Sequence, residues 1–344
     1  MTEKEKMELL SSSDYSFLKD NKYLGDNILI LAFGGSHAYG TNIPTSDIDL
    51  RGVTATTSKQ LFGLENDFEQ VMEFNKEKGV DSCIYSTQKA VKLFLENNPN
   101  TMEILGCRDE DYLILSPAGR KLLAIKLAFI NKLAIKKFGG YSRDRIDNIQ
   151  ALVLTGSGRK ETKLEMFKHS LDKSIESFNI VNRNDMVNLT IGETMYNGEK
   201  MPSLTGTFDN YPMVLVKSIL SSMNNINANY CNVNKRNRKK SVEGLAKQMM
   251  NLCRLYIMGA KLNAEGKIET FIGGKYHDLL MDMRFEKYLT ADGKDVIPAF
   301  YDVLRELQSV YDYALRHTVL PDEPDFELIN CTLMDIYRET LFIK

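Results

Sequence analysis

The sequence lacks the features that mark secreted, membrane-spanning and zinc-binding proteins. Its five cysteines (83, 107, 231, 253 and 331) are odd in number, scattered and never spaced as Cys-x-x-Cys. That excludes a disulfide framework and a zinc ribbon, and it fits reduced thiols in a cytosol. The four histidines, at 37, 169, 277 and 317, lie too far apart in sequence to suggest a histidine metal cluster. No apolar run approaches the roughly 18 residues of a membrane span, so no membrane partner is expected. The start, Thr2-Glu3-Lys4-Glu5-Lys6, is charged and unlike a signal peptide, and a cytoplasmic protein is expected. Net charge is only −2, so no overall field draws nucleic acid, and any such surface must be a local patch.

What is present is the composition of a soluble globular protein: 43% hydrophobic and 26% charged over 344 residues. That length suffices for one large or two ordinary domains with real cores.

One stretch carries chemistry. Asn27-Ile28-Leu29-Ile30-Leu31-Ala32-Phe33 is an apolar run of strand length that stops at Gly34-Gly35-Ser36. Glycine lets the backbone approach a ligand closely, and free N–H groups at such a strand-to-helix turn suit an anion, most usefully a phosphate. A second short strand follows, carrying Asp47 and Asp49. Alternation puts both carboxylates on one face, with Ile48 and Leu50 on the other. Paired carboxylates repel unless a cation lies between them, and an oxygen-only set suits Mg²⁺ held together with substrate phosphates. A phosphate turn beside a magnesium pair is the minimal kit for nucleotidyl transfer.

These residues resemble a known signature. Gly35-Ser36 followed by Ser46-Asp47-Ile48-Asp49 is similar to that of the DNA polymerase beta-type nucleotidyltransferases. The fuller Gly35-Ser36-His37-Ala38-Tyr39-Gly40 with Ser46-Asp47-Ile48-Asp49-Leu50-Arg51-Gly52 resembles, more narrowly, the RNA-repair-pathway DNA polymerase beta family of predicted nucleotidyltransferases. Supporting segments are Asn98-Pro99-Asn100 with Glu103 and Ile104-Leu105, Phe138-Gly139-Gly140-Tyr141, and Lys247 through Arg254-Leu255. The family usually has a histidine where Asn251 stands.

The resemblance implies an α+β protein: a polymerase beta-like core of mixed sheet and flanking helices over residues 1–115, then a mainly helical domain over 116–344 with an irregular insertion at about 156–240. It implies transfer of a nucleoside monophosphate from an NTP to an acceptor hydroxyl, with Mg²⁺ (or Mn²⁺) as cofactor. The acceptor it implies is an RNA or tRNA end; a protein or small molecule is the alternative. A noncatalytic nucleotide- or RNA-binding protein on the same fold is a further reading. Such enzymes use a third carboxylate on a neighbouring strand. Asp81, on the strand Val80–Tyr85 with Cys83 on its face, is the best-placed candidate beside Asp47 and Asp49, ahead of Glu69, Glu73 and Glu77. Gly35, Ser36, His37, Ser46 and Arg51 are the expected nucleotide-binding residues around the turn. Lys247 and Arg254 join them as cations for the triphosphate or departing pyrophosphate.

Elsewhere the pattern is coarser. A short leading helix precedes the first strand, and residues 54–79 read as loop and edge structure. Ser86–Asn97 reads as an amphipathic helix, with Asn100 as the N-cap of the next. Ala118–Phe138 is expected as one long helix broken at Gly139-Gly140, with another beginning at Arg143. Asn197-Gly198 marks a hairpin. Gly156-Ser157-Gly158-Arg159-Lys160 reads as a loop and Met213–Val216 as a short apolar run. Lys235–Lys240 is five-sixths basic, a solvated loop or an RNA contact. Val242–Leu262 is the clearest helix, with Leu245, Met249, Leu252, Tyr256 and Ala260 inward, Lys247, Asn251 and Arg254 on the opposite side, and a turn at Gly259. Phe300–Leu315 is a structural amphipathic helix, and His277 and His317 are surface or capping residues.

Overall fold

The computed structural model describes residues 3–64, 68–75, 80–156, 187–196, 198–208, 242–293 and 295–341. Ser157–Lys160, Met213–Val216 and Lys235–Lys240 lie outside the described residues. The chain divides into two compact units: Met1–Asn148 with Ala246–Tyr288 and Ile297–Lys344, and Ile149–Leu245 with Leu289–Val296. This division does not fall at residue 115. Residues 246–288 and 297–344 belong with the sheet-bearing segment, so the first unit runs through both halves of the chain.

The first unit opens with helices α1 (Glu3–Ser11) and α2 (Phe17–Asp20), then strand β1 (Ile28–Phe33), helix α3 (Gly35–Tyr39), strand β2 (Ile48–Thr54) and helix α4 (Ser58–Phe62). Strands β3 (Gln70–Asn75) and β4 (Val80–Ser86) follow, then helices α5 (Thr87–Leu95) and α6 (Pro99–Gly106) and strand β5 (Tyr112–Leu115). The five strands form one mixed sheet in the order β3-β4-β2-β1-β5. Strands β2 and β4 pair in parallel, and every other pair is antiparallel. β1 is apolar along its whole length because both of its faces are covered, and all six of its residues are buried. On one face Leu31, Phe33, Leu50, Val80 and Ile84 pack with Tyr15, Leu18 and Leu24 from the leading segment, and Val71 joins from β3. Each such fully buried aliphatic chain contributes about 1.5–3 kcal/mol. The opposite face carries Asp49, Arg51, Asp81 and Cys83.

The α+β expectation holds: a mixed sheet with flanking helices at the N-terminus precedes a helical C-terminal region. Helix boundaries differ from the sequence reading in three places. First, α6 is capped by Asn98, whose side chain accepts from the Asn100 N–H at 3.1 Å. Pro99 occupies the first helical position, where its missing N–H is harmless, so Asn100 falls inside the helix.

Second, the break after the sheet comes near residue 130 and not at the glycine pair. Helix α7 (Pro117–Ala124) gives way to a 3₁₀ turn, Lys126–Phe129, and helix α8 (Leu133–Gly156) then runs straight through Gly139 and Gly140. Two buried asparagines make the earlier break possible. Asn97 donates to the Phe129 carbonyl at 3.2 Å, and Asn131 accepts from the Leu133 N–H at 2.8 Å. Backbone groups that leave a helix inside a core need such partners.

Third, helix α9 (Val242–Glu265) passes through Gly259 without turning. A Cβ on Gly259 would come within 2.7 Å of the Tyr311 ring and 3.2 Å of Phe138, so this glycine permits close packing. Helices α10 (Lys275–Arg284), α11 (Pro298–Arg316) and α12 (Phe326–Leu341) complete the first unit. α11 buries Phe300, Leu304, Leu307, Tyr311 and Ala314, the amphipathic face expected. His317 caps α11 through the Tyr313 carbonyl.

In the second unit, strands β6 (Val187–Tyr196) and β7 (Glu199–Phe208) pair antiparallel, with Tyr196 opposite Glu199. Gly198 has φ +81°, the left-handed backbone that a two-residue hairpin turn requires. Among the described residues, no helix is long and apolar enough to cross a membrane.

Candidate active site

The site grows from the end of β1. Where the strand stops, the Gly34 N–H donates to the Asp49 carbonyl at 2.8 Å and ties the turn to β2. Gly35 follows with φ +54°. A Cβ there would lie 1.7 Å from Asp49 Oδ2, so the backbone makes room for that carboxylate. Glycine is the one residue that takes this φ without strain and leaves this space. Helix α3 ends at Gly40 (φ +77°), whose face is covered by the Phe271 ring and whose carbonyl accepts from His277 Nε2 at 2.9 Å. Ser36 stands half-exposed in the turn, and its carbonyl accepts from the Thr41 N–H at 2.9 Å.

Asp47 precedes β2 and is exposed, while Asp49 is half-buried on it. Asp81 pairs in register with Asp49 across the parallel β2–β4 ladder, which puts both side chains on the same face. Between them sits Arg51. It donates to Asp81 Oδ1 at 3.2 Å and to the Asp81 and Leu50 carbonyls, and its other nitrogen lies 3.9 Å from Asp49 Oδ1. The Asp49 pKa is raised above its ordinary value. Burial is the main cause; Asp81 and Asp47 add to it, while Arg51 and Lys247 oppose it. Lys247 is exposed on α9, with its charge felt at Asp49.

Asp47, Asp49 and Asp81 offer carboxylate oxygens, the donors that suit a hard cation. Among the described residues, no three potential ligands stand close enough together to hold an ion by themselves. Asp47 and Asp49 are the pair that would hold a magnesium ion together with substrate phosphates, and Asp81 lies beside them on the next strand, paired with Arg51.

The remaining candidates fall in different places. Ser46 Oγ is engaged on two sides, accepting from the Ile43 N–H at 2.9 Å and from Arg284 at 2.8 Å. His37 stacks on Phe33, and its Nε2 is buried with no hydrogen-bond partner among the described residues. Burial lowers the His37 pKa, with Arg284 helping and Ser46 and Asp111 opposing, so the ring is neutral at neutral pH.

Arg254 departs from expectation. It is buried, where the helical pattern put it opposite the inward stripe and the resemblance implied a cation for the triphosphate. Its Nη1 donates to Glu103 Oε1 at 2.6 Å and its guanidinium lies 4.0 Å from the centre of the Tyr39 ring. Tyr39 donates to the other Glu103 oxygen at 2.7 Å. The arginine is consumed in a buried triad that joins α9, α6 and α3. Glu103 was the signal: a charge inside Met102-Glu103-Ile104-Leu105 cannot be buried without a partner. Arg284, which reaches Ser46 from α10, has no comparable mark in its local sequence.

A glycine turn at the end of β1, with carboxylates in register on the parallel strands β2 and β4, is the arrangement that this α+β protein builds on one face of its mixed sheet. Residues 8–164 match the model of the RNA repair pathway DNA polymerase beta family, the family that the motifs resemble. That segment carries the whole sheet, the turn and all three aspartates, and it ends before Lys247 and Arg254. The family's description suggests a polymerase beta-like nucleotidyltransferase in RNA repair. No curated protein matches the chain.

Proposed function

We propose that this protein transfers a nucleoside monophosphate from an NTP to a hydroxyl at an RNA end, in a magnesium-dependent reaction. The observation that carries this reading is the register of Asp49 with Asp81 beside the Gly34–Gly35 turn. That row gives the two halves of the reaction adjacent places. The turn, with Ser36 and the N–H groups of Gly35 to His37, receives the β- and γ-phosphates. Lys247 supplies a compact positive charge on the same side. Asp47 and Asp49 would hold the ion that accompanies the triphosphate, and Asp81 completes the carboxylate set on the acceptor side. Bound there, magnesium (or manganese) supplies charge for the phosphate oxygens and acidifies the acceptor hydroxyl.

In the transfer, the acceptor hydroxyl gives up its proton to solvent as its oxygen bonds to the α-phosphorus, the bond from the α-phosphorus to the α–β bridging oxygen breaks, and pyrophosphate leaves with that oxygen. The role of Arg51 in the reading is to neutralise Asp81 and Asp49 while they face each other, and to turn toward the triphosphate once it binds.

The Arg51–Asp81 pair also favours a second reading, a noncatalytic nucleotide- or RNA-binding protein whose carboxylates stay paired with arginine. One experiment separates the two. The protein is incubated with each labelled NTP, Mg²⁺ or Mn²⁺, and total RNA or cell lysate. Label on RNA that disappears with Asp47→Ala plus Asp49→Ala supports the transferase. Label on protein moves the acceptor to the alternative class. Identical behaviour of wild type and double variant with all four NTPs and both metals refutes the enzyme.

A further inference from the structure

The carboxylate row does not end at Asp81. Strand β3 is the edge strand on that side of the sheet, and its register places Phe74 opposite Asp81 and Met72 opposite Cys83. Across the sheet the row therefore runs Phe74, Asp81, Asp49 and the Gly34 turn, one strand spacing of about 4.8 Å per step. Alternation decides the face. Val71 turns toward the core beside Ile84, so Met72 and Phe74 share the face of Asp81 and Asp49.

Both side chains are out in solvent: Phe74 is 70% exposed and Met72 67%. Two large apolar groups on an open sheet edge are a liability that folded proteins normally avoid. Their position beside the carboxylates supplies a use.

We propose that Phe74, assisted by Met72, is the stacking surface for the unpaired terminal base of the acceptor RNA. The proposal rests on the transferase reading, and it specifies the acceptor as a single-stranded end. The order along the row requires it. If the triphosphate occupies the glycine turn, the acceptor hydroxyl must come from the far side, over Asp81. The base and the hydroxyl of one nucleotide are separated by little more than a ribose ring. A terminal nucleotide whose hydroxyl reaches Asp81 thus puts its base one strand further out, over Phe74. An aromatic ring accepts any base on its face, and a neighbouring thioether adds favourable contact with a ring edge. A base inside a duplex is already stacked and cannot use this surface, and a protein acceptor brings no base to it.

The chain contains no tryptophan, so Phe74→Trp creates a single indole on the proposed surface. The full-length variant is titrated, without NTP, with a short single-stranded RNA, with the same oligonucleotide abasic at its 3′ position, and with a blunt duplex. Saturable quenching by the first, weaker by about fivefold or more with the second and absent with the third, is the expected result. In the transfer assay, Phe74→Ala is expected to raise the KM for RNA by roughly tenfold, the loss of about one stacked base, while the KM for NTP stays put. Phe74→Tyr restores the RNA KM. Circular dichroism melting checks that these exposed substitutions leave the fold intact.

Equal quenching by intact and abasic ends, or an unchanged RNA KM in Phe74→Ala, overturns the proposal. So does transfer of label to protein alone. The two readings fail separately. Selective quenching without any transfer in wild type sinks the transferase and keeps the stacking surface, whereas transfer to RNA without selective quenching does the reverse.

Discussion

Removing Arg254 distinguishes a structural cation from a substrate-binding one. The guanidinium and the Glu103 carboxylate are 5% and 6% exposed and 2.6 Å apart, and Tyr39 contributes its ring to one and its hydroxyl to the other. In Arg254→Ala the carboxylate stays buried with one hydrogen bond where it had two, and the methylenes of Arg254 leave a void beside Tyr39. Breaking a buried pair from one side costs about 3–5 kcal/mol, more than the pair itself is worth, because the survivor keeps its desolvation cost. In a domain of about 150–250 residues each kcal/mol moves the melting temperature by about 2–4 °C. The expected drop is therefore about 6–20 °C by differential scanning calorimetry. Glu103→Ala should fall in the same range. Arg254→Met combined with Glu103→Leu should recover most of the loss, since the two single effects share one interaction and cannot add. At a temperature where the single variant remains folded, its KM for NTP should change by less than about threefold, a margin under 1 kcal/mol. A melting temperature within about 2 °C of wild type, together with a tenfold or greater rise in the NTP KM, would refute this account and return Arg254 to the triphosphate.

The site makes two further predictions. Gly35→Ala introduces a Cβ where Asp49 Oδ2 lies 1.7 Å away, at a φ of +54°. It should abolish transfer and cost about 1–2 kcal/mol from the backbone alone, measurable by urea denaturation; full activity in this variant would show that the turn does not hold Asp49. Asp49→Asn should stabilise the protein at neutral pH while eliminating transfer. The folded-state pKa of Asp49 lies above its unfolded value, mainly through burial. The folded state therefore binds more protons across that interval, and wild-type stability falls as pH rises from the ordinary carboxylate range through the raised pKa. Asp49→Asn should lack that fall, so denaturation curves of the two proteins should diverge with increasing pH above about 4. Parallel curves would remove the account of a carboxylate whose pKa is raised by burial.

Local patterns were sufficient wherever one strand or one helix face decides the outcome. The apolar run Ile28–Phe33, the alternation that sets Asp49 against Leu50, the hairpin around Gly198 and the amphipathic stripe of Phe300–Leu315 are all legible in the residues themselves. Each depends on a period of two or of 3.6, or on a glycine backbone, and none needs a distant partner. Gly259 misled because glycine in a helix marks either a break or a close approach, and only the neighbouring ring decides which; nothing within 4 Å of Gly140 explains why the helix runs through it. For Gly259 that ring is Tyr311, 52 residues away.

The sequence by itself determined the chemistry available: oxygen ligands at Asp47 and Asp49, a glycine turn at a strand end, and a carboxylate at Asp81 with the right alternation. Tertiary structure alone decided how these groups are used. It set Asp81 in register with Asp49, placed Arg51 between them and drew Arg254 into the core against Glu103, 151 residues away in sequence. It also put Phe74 at the end of the carboxylate row. The physical reason is that register and burial of charge are pairwise properties. An aspartate's sequence neighbours say which face it takes, but its charge state and partner depend on what folding brings within a few ångströms.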